Sequence, residues 1–439
     1  MTSRGFTLVE TVVGSAIFLL VALSSYKAFS TLMSAVLSSQ AKIAATSIAN
    51  EKFEIMRNLT YTDVGIIGGL PSGKIAKNQT VTRGTYTFNI TNTVRSIDDP
   101  FDGTIEGSPN DTSPADYKLV DLDITCINCK LLSPLKFTTL FAPRALETDL
   151  ANGALYIQAL NANGIGVSGV SVHIVNTEAN PDIVVDDVTD NAGWLRIVDA
   201  VPGTNAYNIT VTKSGYSQDQ TYTDGGVAGL NPIKRDSTVV VQQVTQASFS
   251  IDMLSSLTIN TVDALCVATP NLGFSLTGTK LIGTPLVLKY PVKNFTTNTL
   301  GTYTIQNLEW DTYNALLTST SYDLAGTTPL PSFSINPNET KTLQMLTVPH
   351  LNYALLVSVK DSNNFPIDGA IVTLQKTPFN ENKTTGGEVA CPTPGQVFWN
   401  GLANGKYILT VSKAGYQPYI NANLDITSNW QNQTITLIP

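Results

Sequence analysis

The stretch Tyr207-Asn-Ile-Thr-Val-Thr-Lys-Ser-Gly-Tyr216 decides the fold of most of the chain, because it returns as Tyr407-Ile-Leu-Thr-Val-Ser-Lys-Ala-Gly-Tyr416. In both copies apolar and polar residues alternate before a Gly-Tyr pair, which is typical of a half-buried β-strand that ends in a turn. A sequence that repeats over such a distance indicates modules of one fold. We therefore expect β-rich modules of the same kind around both copies.

The repeat extends upstream of these strands, where Ser168-Gly-Val-Ser-Val172 is matched by Asp368-Gly-Ala-Ile-Val372. A degenerate third copy lies between them, since residues 307–313 parallel residues 401–407. Each copy opens with a predicted strand, at 154–160, 256–262 and 354–360. The period predicts three tandem all-β sandwiches, at 150–247, 248–350 (the degenerate copy) and 351–439.

The pattern G-x-x-G-V-x-V … T-D-x-x-G … P-G-x-x-x-Y-x-I-x-V-x-x-x-G-Y resembles the carboxypeptidase regulatory-like, or transthyretin-like, β-sandwich. The match is good over 153–220 and 353–420 and weak over 256–325, where Ser321-Tyr322 replaces the Gly-Tyr pair. The resemblance implies non-catalytic spacer or adhesive modules, and some members of the family bind carbohydrate.

A smaller strand-rich region precedes the repeats, at 58–148. Residues 80–94 alternate in polarity, and 119–125 and 135–141 have the composition of further strands. We expect a small antiparallel-sheet head here.

An acidic loop lies within this head and contains no Lys or Arg between residues 98 and 116. Its carboxylates are candidate ligands for calcium, which prefers oxygen donors. The spacing matches no EF-hand, and a plain solvated loop remains the alternative. The candidate metal ligands are Asp98, Asp99, Asp102, Asp111 and Asp116.

The four cysteines indicate at most local cross-linking. Cys126 and Cys129 form a C-x-x-C at the expected tip of a hairpin, which fits a disulfide, free thiols or half of a zinc site. We predict the disulfide if the compartment is oxidising. Cys266 and Cys391 fall in different modules, so no bond between them is expected.

The N-terminus begins Met1-Thr-Ser-Arg-Gly-Phe-Thr-Leu-Val-Glu10, and an apolar stretch follows over 11–29. That stretch is long enough to cross a bilayer once, with the basic end in the cytoplasm. Neither Gly nor Pro occurs from 15 to 64, so we expect one helix over 6–57. Phe29, Leu32, Val36 and Ile43 share one face of that helix, which can pack on the head or on other helices.

Glu10 is unusual because a carboxylate at the start of an apolar span is costly and usually functional, unless it lies at the headgroup level. The string Arg4-Gly-Phe-Thr-Leu-Val-Glu10 resembles the processing signal of type IV prepilins and type II secretion pseudopilins. The resemblance implies a leader over 1–5 that prepilin peptidase removes after Gly5, followed by methylation of the Phe6 amine. It also implies that Glu10 neutralises the amine of a neighbouring subunit during assembly.

Composition excludes several classes of function. The net charge of −8, without a basic cluster, argues against nucleic acid as a partner. Only two histidines occur, far apart in sequence, so a catalytic set built on histidine is not expected and neither is an enzyme. The predicted fold is α+β: a long N-terminal helix, a small antiparallel-sheet pilin head and three transthyretin-like sandwiches.

These inferences predict a structural or adhesive subunit, minor or at the tip, of a type IV pilus-like filament. It would sit in the inner or cytoplasmic membrane before assembly, and in an extracellular filament or at the cell surface afterwards. Its expected partners are other pilin subunits, prepilin peptidase and the membrane. The alternatives are a type II secretion pseudopilin and a carbohydrate-binding surface adhesin with exposed aromatics such as Trp194, Trp399 or Trp430 on one surface.

Overall fold

The structure is a computed structural model that describes residues 7–105, 107–111, 113–129, 133–143, 151–226, 229, 231–386 and 391–439. It shows one long N-terminal helix followed by a small sheet and then by paired β-sheets. The α+β class is therefore confirmed, while membership of the transthyretin-like family stays a prediction.

Helix α1 spans Leu8–Arg57 and is 50 residues long. Thr7 caps it through a reciprocal pair of hydrogen bonds with Glu10, so the helix begins at Leu8 rather than at Phe6. Phe6 itself lies outside the described residues.

The head is an antiparallel sheet in the order β1-β2-β3-β4. The alternating run 80–94 is two strands and not one, because Gly84, at φ +59°, allows the chain to reverse there. A short 3-10 turn, Tyr61–Asp63, follows α1. The strands are β1 Asn78–Arg83, β2 Tyr86–Ile97, β3 Tyr117–Cys126 and β4 Leu135–Phe141.

Module 1 consists of the strands β5 Gly153–Leu160, β6 Ser171–Asn176, β7 Ile183–Val188, β8 Trp194–Ala200, β9 Gly203–Thr212, β10 Asp219–Gln220, β11 Asn231–Pro232, β12 Ser237–Val239 and β13 Val244–Ser250. Strand β13 extends beyond residue 247, so the predicted boundary of module 1 is too early by a few residues.

Module 2 consists of β14 Ser255–Val262, β15 Gly273–Gly278, β16 Leu281–Thr284, β17 Val287–Leu288, β18 Lys293–Thr296, β19 Thr302–Leu308, β20 Asp311–Leu317, β21 Tyr322–Thr328, β22 Phe333–Ile335 and β23 Thr340–Pro349. Module 3 consists of β24 Ala354–Lys360, β25 Ile371–Lys376, β26 Phe379–Thr384, β27 Gln396–Trp399, β28 Gly405–Ser412, β29 Tyr419–Ile426 and β30 Trp430–Thr436.

The three modules share one topology. In each, the opening strand pairs in parallel with the closing strand and antiparallel with a middle strand: β13-β5-β8, β23-β14-β19 and β30-β24-β27. An antiparallel sheet covers the other side of the core, with five strands in module 1 and four in modules 2 and 3. Because the first and last strands are parallel, each module enters at one end and leaves at the other.

Equivalent residues show that the degenerate middle copy has the same fold as its neighbours. Tyr207, Tyr313 and Tyr407 are buried in the three cores, and each hydroxyl donates to a backbone carbonyl a few residues upstream. An apolar ring with a polar tip needs such an acceptor once it is buried. The alignment of residues 307–313 with 401–407 therefore reflects a shared core position.

A glycine with positive φ recurs before the middle strand of each module, at Gly193, Gly301 and Gly395. A Cβ at any of them would lie 2.6–2.8 Å from the carbonyl oxygen of the opening strand. The close approach of the two backbones therefore requires glycine, in the divergent copy as in the others.

Modules 2 and 3 are joined by a disulfide between Cys266 and Cys391. This corrects the expectation that the two cysteines do not pair: the turn after β14 faces module 3 once the modules pack end to end. Val262 and Leu346 of module 2 form an apolar cluster with Cys391, and Phe398 packs against it.

Directed hydrogen bonds complete the joint between modules 2 and 3. The side chain of Gln396 pairs with both backbone groups of Thr327, at 2.9 and 2.6 Å. The indole of Trp430 donates to the carbonyl of Leu324 at 2.8 Å. The joint is thus apolar, covalently closed and bridged by these side chains.

Candidate functional site

The N-terminal part of α1 is an exposed apolar rod. Every residue from 8 to 33 is exposed, and the first buried residue of the helix is Ala41. At 1.5 Å per residue, this fully exposed part of the helix is about 40 Å long. By length and composition this helix is able to cross a membrane.

Glu10 lies near the tip of this rod. Its Oε2 accepts hydrogen bonds from the backbone and the hydroxyl of Thr7, at 3.5 and 3.4 Å. The carboxylate therefore stabilises the first turn of the helix, both as a cap and as a negative charge at the helix N-terminus. Gly5 and Phe6, the predicted processing residues, lie outside the described residues.

The apolar face predicted on α1 does not pack on the head. Phe29, Leu32, Val36 and Ile43 are between 50 and 68% exposed. The head instead covers a later set of small and apolar residues: Ala41, Ala45, Ile48, Ala49, Phe53 and Met56. Small side chains let the helix lie close to the sheet, so the head is fixed on the C-terminal part of α1 alone.

Two strand ends position an acidic cluster in the head. Ile97, at the end of β2, pairs with Tyr117, at the start of β3, so the adjacent residues Asp98 and Asp116 lie side by side. The loop between them brings Asp111 to the same point. One carboxylate oxygen from each of these three aspartates lies within 4.8 Å of the other two.

This cluster concentrates negative charge. Asp98 Oδ2 accepts the N–H of Ile105 at 3.2 Å, and Asp111 Oδ1 accepts the N–H of Ser113 at 2.8 Å. Asp98 Oδ1 and Asp111 Oδ2 are buried and accept no hydrogen bond from the residues that the structure describes. Burial, reinforced by the neighbouring carboxylates and opposed by the N–H of Ile105, raises the pKa of Asp98 to about 6.

Converging carboxylate oxygens fit a hard cation such as calcium, which takes about six to eight oxygen ligands. Asp98, Asp111 and Asp116 would hold the ion, and its charge would remove their mutual repulsion. The other two predicted ligands lie outside this set: Asp99 accepts the N–H of Phe101 in a local turn, and Asp102 is exposed.

The local cysteine pair lies at the end of the same sheet. Cys126 and Cys129 are disulfide-bonded, with 5.4 Å between their Cα atoms. Cys126 packs in the apolar core of the head beside β2. The bond therefore ties the end of β3 to the segment that leads to β4.

The tryptophans named for an adhesin do not form one exposed surface. Trp399 is buried in module 3, and Trp430 packs on module 2 through its bond to Leu324. Trp194 lies in module 1, edge-on to Tyr156. A saccharide platform built from these three residues is therefore ruled out by their positions.

Sequence reasoning missed an ionic joint between the head and module 1. Arg95 of β2 forms a bidentate salt bridge with Asp187 of β7. Its Nη1 also lies 2.7 Å from Oδ2 of Asp121 in β3. Asp121 and Asp187 have side chains only 4 and 6% exposed. Hydrogen bonds to Asp187 and Asp121 outweigh the effect of burial and raise the pKa of Arg95. The only signal in the sequence was an Arg in a strand of otherwise uncharged residues.

No model of a known protein family matches the chain, and no curated protein matches it. Solved structures match it in part. The Bacillus anthracis TIE protein is 15% identical over 83% of this chain and 74% of its own, with a TM-score of 0.20. The shaft pilin SpaA from Lactobacillus rhamnosus GG is 12% identical over 45% of this chain and 98% of its own, with a TM-score of 0.19. The Streptococcal ancillary pilin is 13% identical over 65% and 98%, with a TM-score of 0.18. Similarities of this size carry no inference about function.

Proposed function

We propose that this chain is a non-enzymatic, structural subunit of a type IV pilus-like filament. Prepilin peptidase would cut after Gly5, the Phe6 amine would be methylated, and Glu10 would neutralise the amine of the next subunit. The sandwiches would project from the filament as a stalk. In this view the membrane holds α1 before assembly, and neighbouring helices cover it afterwards.

The exposed face of α1 carries the proposal. A bilayer core of about 30 Å covers only about 20 residues of helix. The fully exposed part of the helix is about 40 Å long, and its apolar face continues past Lys27 through Leu32, Val36 and Ile43. A membrane anchor alone would leave these residues in water. Packing against the helices of other subunits would bury them.

The test separates the charge of Glu10 from its role as a helix cap. In Glu10→Gln the amide still accepts the capping hydrogen bond, but the charge is lost. Filaments sheared from native cells should contain wild-type chains that begin at N-methylated Phe6, and Glu10→Gln should reduce incorporation at least tenfold. The matched control Glu54→Gln, an exposed side chain near the C-terminal end of the same helix, should assemble normally. Mature chains that retain Met1, or a Glu10→Gln variant that assembles normally, would overturn the proposal.

A type II secretion pseudopilin is the second candidate, favoured by the same N-terminal string. Both candidates predict the same processing, and they differ in the length of the filament. Electron microscopy of the native cells separates them: long surface filaments labelled on module 3 support a pilus, and label restricted to the envelope supports a pseudopilus.

We also propose that the head binds calcium through Asp98, Asp111 and Asp116. The convergence of the three carboxylates and the buried oxygens of Asp98 and Asp111 support this. The ion would hold the loop between β2 and β3 in one conformation on the surface of the head.

A further inference from the structure

Modules 1 and 2 meet across a cleft that is unlike the joint between modules 2 and 3. Strand β11 of module 1 pairs with β16 of module 2, so the two modules share a small sheet. Beside that sheet lies an open cleft with a cavity volume of about 240 Å³. We call it the lysine cleft, and the residues that define it are Asp219, Lys234, Lys280, Lys289, Glu309 and Trp310.

Positive charge is in excess at the centre of the lysine cleft. Lys280 and Lys289 both pair with the carboxylate of Glu309, each at 2.7 Å. These two lysine side chains are about one quarter exposed, so water does not fully screen them. Two ammonium groups on one carboxylate leave a net positive charge. Burial lowers the pKa of Lys280, and Lys289 adds to this effect, while Glu309 and Asp311 oppose it.

The cleft also offers hydrogen-bond acceptors. Each oxygen of Glu309 accepts one lysine, and a carboxylate has about four acceptor positions in all. Asp219 lies on the opposite wall, paired with Lys234 at 2.5 Å. A bare anion such as phosphate would be attracted by the lysines but repelled by both carboxylates. This combination of lysines and carboxylates therefore favours a ligand with one negative charge and several hydroxyl donors.

Aromatic groups complete the cleft. Trp310 lies beneath the ammonium of Lys280, 3.2 Å from the ring centre, and Tyr222 lines the facing wall. The Nε1–H of Trp310 is buried, and no acceptor for it occurs among the residues that the structure describes. That donor is closed to a ligand in the open cleft, so Trp310 contributes through its ring, which holds the ammonium of Lys280.

We propose that the lysine cleft binds an acidic saccharide, with the carboxylate of a hexuronate between Lys280 and Lys289 and its hydroxyls on Glu309 and Asp219. An acidic peptide supplies the carboxylate but few hydroxyl donors, so the cleft fits it less well. This site differs in place and residues from the tryptophan surface excluded above, and it does not depend on filament assembly.

The probe is methyl β-D-glucuronoside, titrated into the full chain in detergent micelles and followed by ligand-observed NMR. Methyl β-D-glucoside is the neutral analogue, and sodium phosphate and triglutamate are competitors. We expect the glucuronoside to bind at least tenfold more tightly than the glucoside. Neither competitor should displace it at equal concentration.

Lys289→Met should weaken binding of the glucuronoside at least tenfold. Lys341→Met is the matched control, because Lys341 pairs with Glu339 at 2.9 Å at similar exposure but lies outside the cleft. Equal affinity for the two glycosides, displacement by phosphate or by triglutamate, or unchanged binding by folded Lys289→Met would overturn the proposal.

Discussion

The joint between modules 2 and 3 and the joint between the head and module 1 connect neighbouring domains by opposite means. The first is apolar, with a disulfide surrounded by Val262, Leu346 and Phe398. The second depends on charge: Arg95 reaches across to Asp187, and the N–H of Val184 donates to a carbonyl of the head. Among the described residues of the head, Leu70 is the one apolar side chain that enters the core of module 1.

The interface, and not the fold of the modules, determines how each joint responds to salt, to oxidation and to the loss of a partner. An apolar, covalent joint is insensitive to salt but depends on oxidation. A joint of buried charges needs no oxidation, but it fails when one partner is lost, because the remaining charges stay buried without compensation.

Removing the bond between modules 2 and 3 should have the largest effect. The double variant Cys266→Ser, Cys391→Ser frees a loop of 125 residues, which should lower the free energy of unfolding of these modules by about 2–4 kcal/mol. Hydrogen exchange of the backbone amides in β14 and β24 measures this loss of stability. Cys126→Ser, Cys129→Ser is the matched control: its loop spans only 3 residues, and chain entropy predicts an effect about 3 kcal/mol smaller. Equal effects of the two double variants would contradict this account.

Arg95→Met should have the next largest effect, at the ionic joint. The methionine keeps the apolar stem but leaves Asp187 buried without its partner, at a cost of about 2–3 kcal/mol. Faster hydrogen exchange in β2 and β7 is the expected result. In the control Arg83→Met the lost partner, Glu51, is about half exposed, so the cost should stay below about 1 kcal/mol. If both variants behave alike, the joint does not depend on Arg95.

Calcium should have the smallest effect. The acidic loop at 98–116 contains no Lys or Arg, whereas Arg95 compensates the carboxylates at the ionic joint, so added calcium should stabilise the head. At pH 7.5 and a calcium concentration tenfold above Kd, the head should gain about 1.4 kcal/mol of stability. Calorimetric titration and hydrogen exchange of residues 98–116 measure binding and its effect. Asp98→Asn, Asp111→Asn should abolish both, and the exposed Asp102→Asn should not. A gain that survives the double variant would place the ion elsewhere.

Local pattern was enough to predict much of this fold. The opening strands 154–160, 256–262 and 354–360 were placed within one residue, because alternation of polarity reports a half-buried strand directly. The end of α1 at Arg57 follows in the same way from an uninterrupted run of helix-compatible residues. Each of these features depends on residues that lie close together in the sequence.

Features that depend on packing between domains could not be predicted in this way. The bond between Cys266 and Cys391 forms because two modules stack end to end, and spacing in sequence does not reveal that geometry. The sequence indicated five candidate ligands in the acidic loop. The pairing of Ile97 with Tyr117 brings Asp98 and Asp116 together, and the path of the loop adds Asp111. The lysine cleft draws on residues from both modules and has no sequence motif at all.

The disulfide between modules 2 and 3 also determines how the chain would carry mechanical load. A pull between α1 and the last strands of module 3 would pass from Cys266 directly to Cys391, across the bond. The 125 residues between them would bear no tension, although fully stretched they would span about 400 Å. An oxidised chain is therefore short and stiff in its outer half, and a reduced chain could lengthen by most of that distance before breaking.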